Sequence, residues 1–260
     1  MCADPADRLQ PCLPPDAPQA PPGGWGVAEL HAHTSASDGV PSPEELVRRA
    51  DRLGLDVLAV TDHDLIDGAL RARDYARRSG ARVEVIVGIE VTTRRQDHIV
   101  GLFVEAPVPI FRPVIDTVRA IQAQGGLAIV AHPFLGLPSS ISPQRLAAAL
   151  RHASFDGIEV ENQYMRERTR AAVRAFLTRQ PVGASIGASD AHFGDLARAV
   201  TLFPGRSAGD LRAALVARTV VAARGALRHP PPSPADHARN QFRSLLKLPV
   251  LRVRQVLRQR

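Results

Sequence analysis

Short apolar runs typical of strands and apolar residues at helical spacing alternate along most of the chain. Short apolar, β-branched runs recur between turn residues, and each run is typical of a buried strand. They predict strands at 27–31, 57–61, 83–89, 99–104, 127–131, 157–160 and 184–188, with a further one at 219–222.

Helical patterns fill most of the gaps between these runs. In the first helix, Ser42 can act as the cap, Pro43 suits the first position and Glu45 completes a capping box. Apolar residues then follow at helical spacing as far as Leu53. Five more helices are predicted near 68–79, 113–124, 143–152, 165–179 and 208–217.

Strands that alternate with helices indicate an α/β fold with a parallel sheet. Seven or eight such units within 25–228 favour a single compact β/α barrel over an open sheet. Residues 1–24 carry seven prolines and are predicted to be a disordered leader. Residues 229–260 form a Pro-rich break followed by a basic tail.

The tail accounts for most of the net charge of +7. It holds seven basic residues and one acid, which leaves 26 basic and 25 acidic residues elsewhere, a net charge of +1. The high isoelectric point is therefore poor evidence that the barrel binds nucleic acid. Apolar residues and arginines interleave in the tail, and Pro249 is expected to break or kink any helix there.

Two interpretations of the tail stay open. It could bind a membrane surface or nucleic acid, or it could be a frayed end or a helix packed on the barrel with a solvated basic face. We favour the second, so peripheral membrane contact is not the preferred prediction. Two cysteines, Cys2 and Cys12, give no basis for a disulfide framework. No spanning run or secretory signal is evident, and we expect a cytoplasmic protein.

Candidate metal ligands follow the predicted strands. In "ELHAHTSASDG", His31 and His33 are two residues apart and so share one face. The carboxyl ends of barrel strands converge on one mouth, where we expect the following ligands to meet: His31, His33, Asp38, His63, Glu90, His98, His132, Asp190 and His192. A single histidine of this kind is more often a hydrogen-bonded structural group, and Asp64 and Asp67 could be helix caps. Asp62 could orient a histidine. As a set, however, these residues indicate a metal site, because unpaired buried polar groups are costly.

Histidine and carboxylate ligands without cysteine suit Zn²⁺, Mn²⁺ or Fe²⁺ better than Mg²⁺. Nine ligands exceed the needs of one tetrahedral ion and suit two or three ions. Three carboxylates contribute a charge of −3, so two divalent ions leave +1 and three leave +3. Either centre attracts an anion, and a phosphate ester is the expected substrate.

At these residues the sequence resembles the PHP family, the polymerase and histidinol phosphatase domain. The resemblance spans about residues 26–225 through the motifs "ELHAHTSASDG", "VTDHD", "GIE", "HIVGLF", "AHP", "DGIEVEN" and "ASDAH". It implies a distorted seven-stranded β/α barrel, a di- or trinuclear metal centre and phosphoester hydrolysis.

The resemblance also implies individual ligand roles. One metal would lie among His31, His33, Glu90 and Asp190; a second among Asp38, His63 and His192; and Glu90 would bridge to a third held by His98 and His132. Some relatives carry histidine where this chain has Asp38. The difference places the chain nearer the branch that acts on nucleotides or short oligonucleotides.

Our hypothesis is that a metal-bridging hydroxide attacks phosphorus, with Asp38 and Arg198 as the predicted catalytic residues. Arg198 would hold phosphate or would be a solvated arginine, and Asn162 would reach the mouth or form a turn. Alternatives are a 5′-3′ exonuclease, a catalytically weak barrel acting as an interaction module, and a C–N hydrolase. The last usually needs a bridging lysine, whereas the only lysine here, Lys247, lies in the tail.

Overall fold

The strands form one sheet that curls almost into a barrel. The computed structural model describes residues 24–225, 227 and 229–258, so the predicted leader lies outside the described residues apart from Gly24. Nine strands line up in the order β7-β6-β5-β4-β3-β2-β1-β8-β9. They are β1 (Trp25–Glu29), β2 (Val57–Val60), β3 (Glu84–Thr92), β4 (His98–Leu102), β5 (Leu127–Val130), β6 (Gly157–Glu161), β7 (Ala184–Gly187), β8 (Ala199–Pro204) and β9 (Val221–Arg224).

Side-chain and backbone contacts bring β7 back to β8. The hydroxyl of Thr201 donates to the carbonyl oxygen of Gly187 at 2.8 Å and accepts from its amide at 3.1 Å. A Cβ on Gly187 would lie 2.4 Å from the carbonyl oxygen of Val200, so this close approach requires glycine. Arg224 of β9 also donates to Glu161 of β6 at 3.1 Å. The barrel prediction is confirmed, although with nine strands in place of seven.

The sheet is mixed, which corrects the prediction of a parallel one. Strands β1–β3 pair in parallel, as do β5–β7, whereas β4 is antiparallel to both of its neighbours. Only residues 93–97 connect β3 to β4, and so short a connection permits only an antiparallel return. The amino end of β4 therefore lies beside the carboxyl end of β3, with His98 opposite Thr92.

Strand β8 was absent from the sequence-based prediction. It pairs antiparallel with β1 and with β9, and β9 lies slightly beyond the predicted run at 219–222. The six predicted helices are present: α1 (Pro43–Leu53), α2 (Asp67–Ser79), α3 (Val114–Ala123), α4 (Pro143–Leu150), α5 (Glu167–Leu177) and α6 (Ala208–Ala217). As predicted, the Ser42 side chain caps α1 by accepting from the amide of Glu45.

Strand alternation divides the apolar residues into two clusters. Val57 and Ala59 pack with Phe203 and with Leu211 of α6. Their neighbours in β2, Leu58 and Val60, belong to a second cluster that includes the inner faces of α1 and α2. Burial of each large aliphatic side chain contributes roughly 1.5–3 kcal/mol.

The tail forms α7 (Pro234–Phe242), a π-helical turn (Arg243–Lys247) and α8 (Leu248–Arg258) in continuous succession. Pro249 does not break this succession; it is the second residue of α8, which directly follows the π-helical turn, and that turn is the local distortion of the helix beside it. Basic side chains of the tail contact the barrel, and Phe242, Leu245 and Leu257 are exposed. The tail thus packs as a helix, but with an exposed apolar face in place of a solvated basic one. None of the helices in the described part of the chain is long and apolar enough to span a bilayer.

Candidate metal centre

All nine predicted metal ligands meet at one edge of the barrel. The loop after β1 supplies His31, His33 and Asp38, and the loops after β2, β5 and β7 supply most of the others. Glu90 lies within β3, and His98 begins β4. His98 reaches the same edge because β4 is antiparallel.

Glu90 lies at the centre of the cluster. Its Oε2 atom is 3.3 Å from His31 Nε2, 3.3 Å from His33 Nε2 and 2.9 Å from His63 Nδ1. Its Oε1 atom is 2.9 Å from both His98 Nδ1 and His132 Nε2. A fully buried carboxylate in contact with five imidazoles has the position expected of a bridging ligand.

Eight of the nine side chains, all but His132, fall into three overlapping groups in which every pair of potential ligand atoms lies within 4.8 Å. The groups are His31, His33, Glu90 and Asp190; His33, Asp38, His63 and His192; and His63, Glu90 and His98. Asp38 is the loosest member, since its carboxylate oxygens lie 3.6–3.8 Å from the imidazole nitrogens of His192, His33 and His63.

The contacts of Glu90 with His63, His98 and His132 at 2.9 Å have the length of hydrogen bonds, whereas its two contacts at 3.3 Å, with His31 and His33, have the spacing of metal ligands. Ligand atoms around a tetrahedral ion, with bonds of about 2.0–2.1 Å, lie about 3.3 Å apart. Six buried atoms of the cluster also have no hydrogen-bond partner among the described residues: His31 Nε2, His33 Nδ1, His63 Nδ1, Glu90 Oε2, His98 Nδ1 and His132 Nδ1. Each unpaired buried group costs about 1–3 kcal/mol, and coordination of a cation would remove that cost.

Burial and the charges of neighbouring side chains together set the ionisation of the cluster. Burial opposes the charged form of His63, but attraction from Glu90 and Asp38 raises its pKa to about 9. Likewise, Asp38 and Asp190 outweigh burial and raise the pKa of His192 to about 10. Burial and repulsion from His192 and His63 lower the pKa of His33 to about 4. Burial opposes ionisation of Glu90, but the surrounding imidazoles lower its pKa well below the usual value. Metal binding here would displace protons from the histidines.

The backbone is strained where it delivers several of these groups. His132 has φ 25°, Asp190 has φ 55° and Asp64, next to His63, has φ 61°. Residues other than glycine rarely adopt positive φ, and such strain is concentrated at functional sites.

Glu159 is a buried carboxylate to which the sequence analysis gave no role. Its Oε1 atom is 2.7 Å from His31 Nδ1, while Oε2 accepts from the amide of His132 at 2.9 Å and from Asn162 Nδ2 at 2.8 Å. It therefore orients His31 and the backbone of His132. Asn162 acts on Glu159 from its turn. The sequence held one indication of this role, because Glu159 is a charged residue at a buried position of a predicted strand.

The aspartates near the second strand have structural partners. Asp62 accepts from the Thr34 and Ser37 side chains at 2.7 Å and 2.6 Å, which orders the loop before Asp38. Asp64 accepts from the amide and hydroxyl of Thr92 and does not cap α2, whose capping position is Ile66.

The cluster opens into a cavity of about 580 Å³. Leu137, Tyr164, Arg166 and Arg168 line its outer part, and their side chains are exposed. Arg198 instead donates to Asp195 at 2.8 Å and lines a neighbouring cavity with Arg170 and Arg224. Arg166 and Arg168 were not predicted as site residues, because no local sequence pattern distinguishes them and only the fold brings the segment after β6 to the mouth.

Comparison with known proteins assigns the fold to a family. The family model of the PHP domain matches residues 29–180, which is more than half of the chain. The chain belongs to the PHP domain family. The Asp190–His192 motif and the tail lie beyond the matched residues.

Two proteins are similar to this chain in sequence, and one is similar in structure. An uncharacterised protein of Methanocaldococcus jannaschii is 31% identical over 54% of this chain and 84% of its own length. A 5′-3′ exoribonuclease of Salmonella typhimurium is 38% identical over 39% of this chain, but over only 36% of the exoribonuclease. A two-domain Bacteroides vulgatus protein, described as containing a predicted PHP-like metal-dependent phosphoesterase, has a TM-score of 0.67 and 23% identity. It covers 86% of this chain and 70% of its own. This last similarity concerns the fold alone.

Proposed function

We propose that this PHP domain is a metal-dependent hydrolase of phosphate esters. The observation that carries the proposal is the meeting of nine histidine and carboxylate side chains at one barrel edge, eight of them in groups compact enough to share an ion. Six of their buried atoms lack hydrogen bonds within the described structure. A purely structural core would use apolar residues here, because they avoid the cost of burying unpaired polar and charged groups.

The donor set fits two or three divalent ions of the zinc, manganese or iron type. His31, His33, Glu90 and Asp190 would hold one ion, and Asp38, His63 and His192 a second. His98 and His132 would share Glu90 with a third. Bound there, the ions would supply Lewis acidity toward the phosphoryl oxygens and acidify water to the hydroxide that we propose as nucleophile.

The cavity lining supports a nucleotide or short oligonucleotide as substrate. Arg166 and Arg168 present cationic side chains to the cavity that the cluster opens into, where they would bind phosphate oxygens. Tyr164 and Leu137, which are 50% and 55% exposed, offer apolar surface at the mouth for a base. The exoribonuclease relative is consistent with this class. We also propose that the protein is cytoplasmic.

The test is hydrolysis by purified protein, supplemented with Mn²⁺ or Zn²⁺, of 5′-nucleotides, small sugar phosphates and a 5′-phosphorylated oligonucleotide. A ladder of shortened oligonucleotides would identify a 5′-3′ exonuclease, and phosphate release from the mononucleotides alone would identify a phosphatase. Bound metal without hydrolysis of any ester would contradict the proposal and favour the interaction-module alternative.

The phosphate-binding residues can be assigned in the same assay. We expect Arg166→Met combined with Arg168→Met to raise KM by roughly tenfold or more, because each removes a charge-assisted hydrogen bond. Arg198→Met is the matched comparison, since Arg198 is already engaged by Asp195. A raised KM in Arg198→Met alone would favour Arg198 as the phosphate-binding residue and contradict the assignment to Arg166 and Arg168.

A further inference from the structure

The helical tail contacts the loop that carries Asp38. We call residues 34–40 the Asp38 loop. Four tail side chains contact this loop or the neighbouring segments of the site, and we call them the clamp: Asn240, Arg243, Lys247 and Arg252. Asp38 lies farther from its strand than any other predicted metal ligand, in a turn nine residues beyond the end of β1. Its placement therefore depends on how that loop is held.

Residues of the barrel accept the hydrogen bonds that amide and hydroxyl groups of the Asp38 loop donate. Asp62 accepts from the amide of Thr34 at 2.8 Å and from the hydroxyl of Ser37 at 2.6 Å. The amide of Val40 donates to the carbonyl oxygen of His192 at 2.7 Å. These bonds leave several loop carbonyl groups to be satisfied from elsewhere.

The clamp supplies donors to those carbonyl groups. Lys247 Nζ donates to the carbonyl oxygens of Ser35 and Ala36, the latter at 2.7 Å. Asn240 donates to the carbonyl oxygen of Asp38 at 3.0 Å. Arg243 donates to the carbonyl oxygens of Gly39 and Val40. Three tail side chains thus bind the carbonyls of five of the seven loop residues, with two of the donors charged.

The fourth clamp residue contacts the neighbouring ligand segments. Arg252 donates to Asp64 Oδ2 at 2.7 Å and to the hydroxyl of Thr92 at 2.7 Å. Asp64 directly follows His63, and Thr92 lies two residues beyond Glu90 in β3. The tail is therefore bonded to the segments that carry Asp38, His63 and Glu90.

The local geometry of the tail suits this contact. Arg243 and Lys247 begin and end the π-helical turn, and π-helical turns recur at functional sites. Most of the large apolar residues of the tail point to solvent, so polar contacts provide much of its attachment to the barrel.

We propose that the clamp residues are positioning residues for the metal position formed by Asp38, His63 and His192. This inference rests on the proposed metal-dependent function. A docked tail keeps the Asp38 carboxylate directed at its two imidazole partners. Without the clamp donors, the Asp38 loop loses its fixed position, and that metal position loses affinity while the position at His31 and Asp190 retains it.

The test uses the full chain with Lys247→Met combined with Arg243→Met, and Lys247→Met alone in case the pair unfolds. Arg239→Met is the matched control, because Arg239 lies on the same tail and pairs with Asp236 within α7. Lys247→Arg should rescue. The readouts are Mn²⁺ and Zn²⁺ bound per chain with their affinities, and amide hydrogen exchange of residues 35–40 in the metal-free protein.

We expect the clamp variants to bind one metal equivalent about 10–100-fold more weakly, with faster exchange in the Asp38 loop. The Arg239→Met protein should behave as the wild type. Wild-type metal affinity in a folded clamp variant would overturn the inference, whatever the exchange rates, and would leave the tail a purely structural role. Wild-type protein that binds metal but hydrolyses no ester would overturn the proposed function alone, and wild-type protein that binds no metal would overturn both.

Discussion

Glu90 shows how a single residue organises this site. It is fully buried, carries a strongly lowered pKa and contacts imidazoles from the ends of β1, β2, β4 and β5. The neighbouring Glu159 adds a further carboxylate, so the formal ligand charge becomes −4 when it is counted. Two divalent ions would then leave a neutral centre, and three would leave +2. A trinuclear centre would thus attract a phosphate ester more strongly.

Glu159→Gln is predicted to weaken metal binding with little effect on folding. The amide preserves the shape of the carboxylate but removes its charge and one acceptor oxygen beside His31, the His132 amide and Asn162. We expect metal affinity to fall by about 10–100-fold, measured by competition with a chromogenic chelator. Glu161→Gln, two residues along β6, is the control, because Glu161 pairs with Arg170 and Arg224 away from the cluster. Equal affinities in the two variants would contradict this role.

Individual residues differ in how far the sequence predicts them. The nine residues predicted as metal ligands could be singled out because each lies beside a predicted strand in a recognisable motif. Glu159 has such a motif too, "DGIEVEN", but its role depends on contacts with β5 and with the loop after β1, which no local pattern encodes. The contact of Arg198 with Asp195 could not be predicted either, because it depends on the fold of the loop after β7.

At the scale of elements, α2 begins so close to the Asp38 loop that its first turn needs a glycine. A Cβ on Gly68, the second residue of α2, would lie 1.9 Å from Asp62 Oδ2 and 2.7 Å from Thr34 Oγ1. The side chain of Asp62 is already fixed by that loop. The helix and the loop are therefore packed as one unit.

Gly68→Ala is predicted to lower the free energy of unfolding by about 1–3 kcal/mol, because overpacking displaces Asp62. Gly209→Ala is a matched control at the second residue of α6, where a new Cβ would make an ordinary van der Waals contact of 3.6 Å with Ser207 Oγ. There we expect no loss, and a gain of up to about 1 kcal/mol from helix propensity. Urea denaturation of the two variants and the wild type provides the comparison. Equal stabilities would show that α2 can shift away from the loop.

The elements also show where local patterns fail. Helices α1–α6 were predictable from apolar residues at helical spacing, and serine caps precede α1, α4 and α6. The direction of β4 was not, since it depends on a connection too short for a crossover. Strand β8 gains its place by pairing with β1, more than 160 residues earlier in the chain.

At the scale of the whole molecule, metal binding is predicted to stabilise the fold. The ligands come from nearly every part of the barrel, so the unfolded chain cannot present the same site. Metal at 100 times its dissociation constant would add about 2.7 kcal/mol, which corresponds to an increase in Tm of roughly 5–10 °C for a domain of this size. Thermal melts after chelation, and again after addition of Mn²⁺ or Zn²⁺, measure this. An unchanged Tm would argue against a shared metal centre.

The barrel as a whole was predictable from the alternation of strands and helices, and its closure followed from the family resemblance. The tail was not, because its apolar and basic residues alternate without indicating which face the barrel takes. The carbonyl groups of the Asp38 loop explain why Arg243 and Lys247 turn inward, and Asp64 explains why Arg252 does; both depend on the fold.

The most direct test of a metal-dependent phosphoesterase is the rate of phosphate release from a 5′-nucleotide as Mn²⁺ or Zn²⁺ is titrated. It should be measured for wild type, for His132→Ala and for His152→Ala, whose histidine lies exposed outside the cluster. We expect metal-dependent hydrolysis by the wild type and by His152→Ala, and a loss of about 100-fold or more in His132→Ala, as is usual when a metal ligand is removed. Hydrolysis that needs no metal, or that survives His132→Ala unchanged, would contradict the assignment.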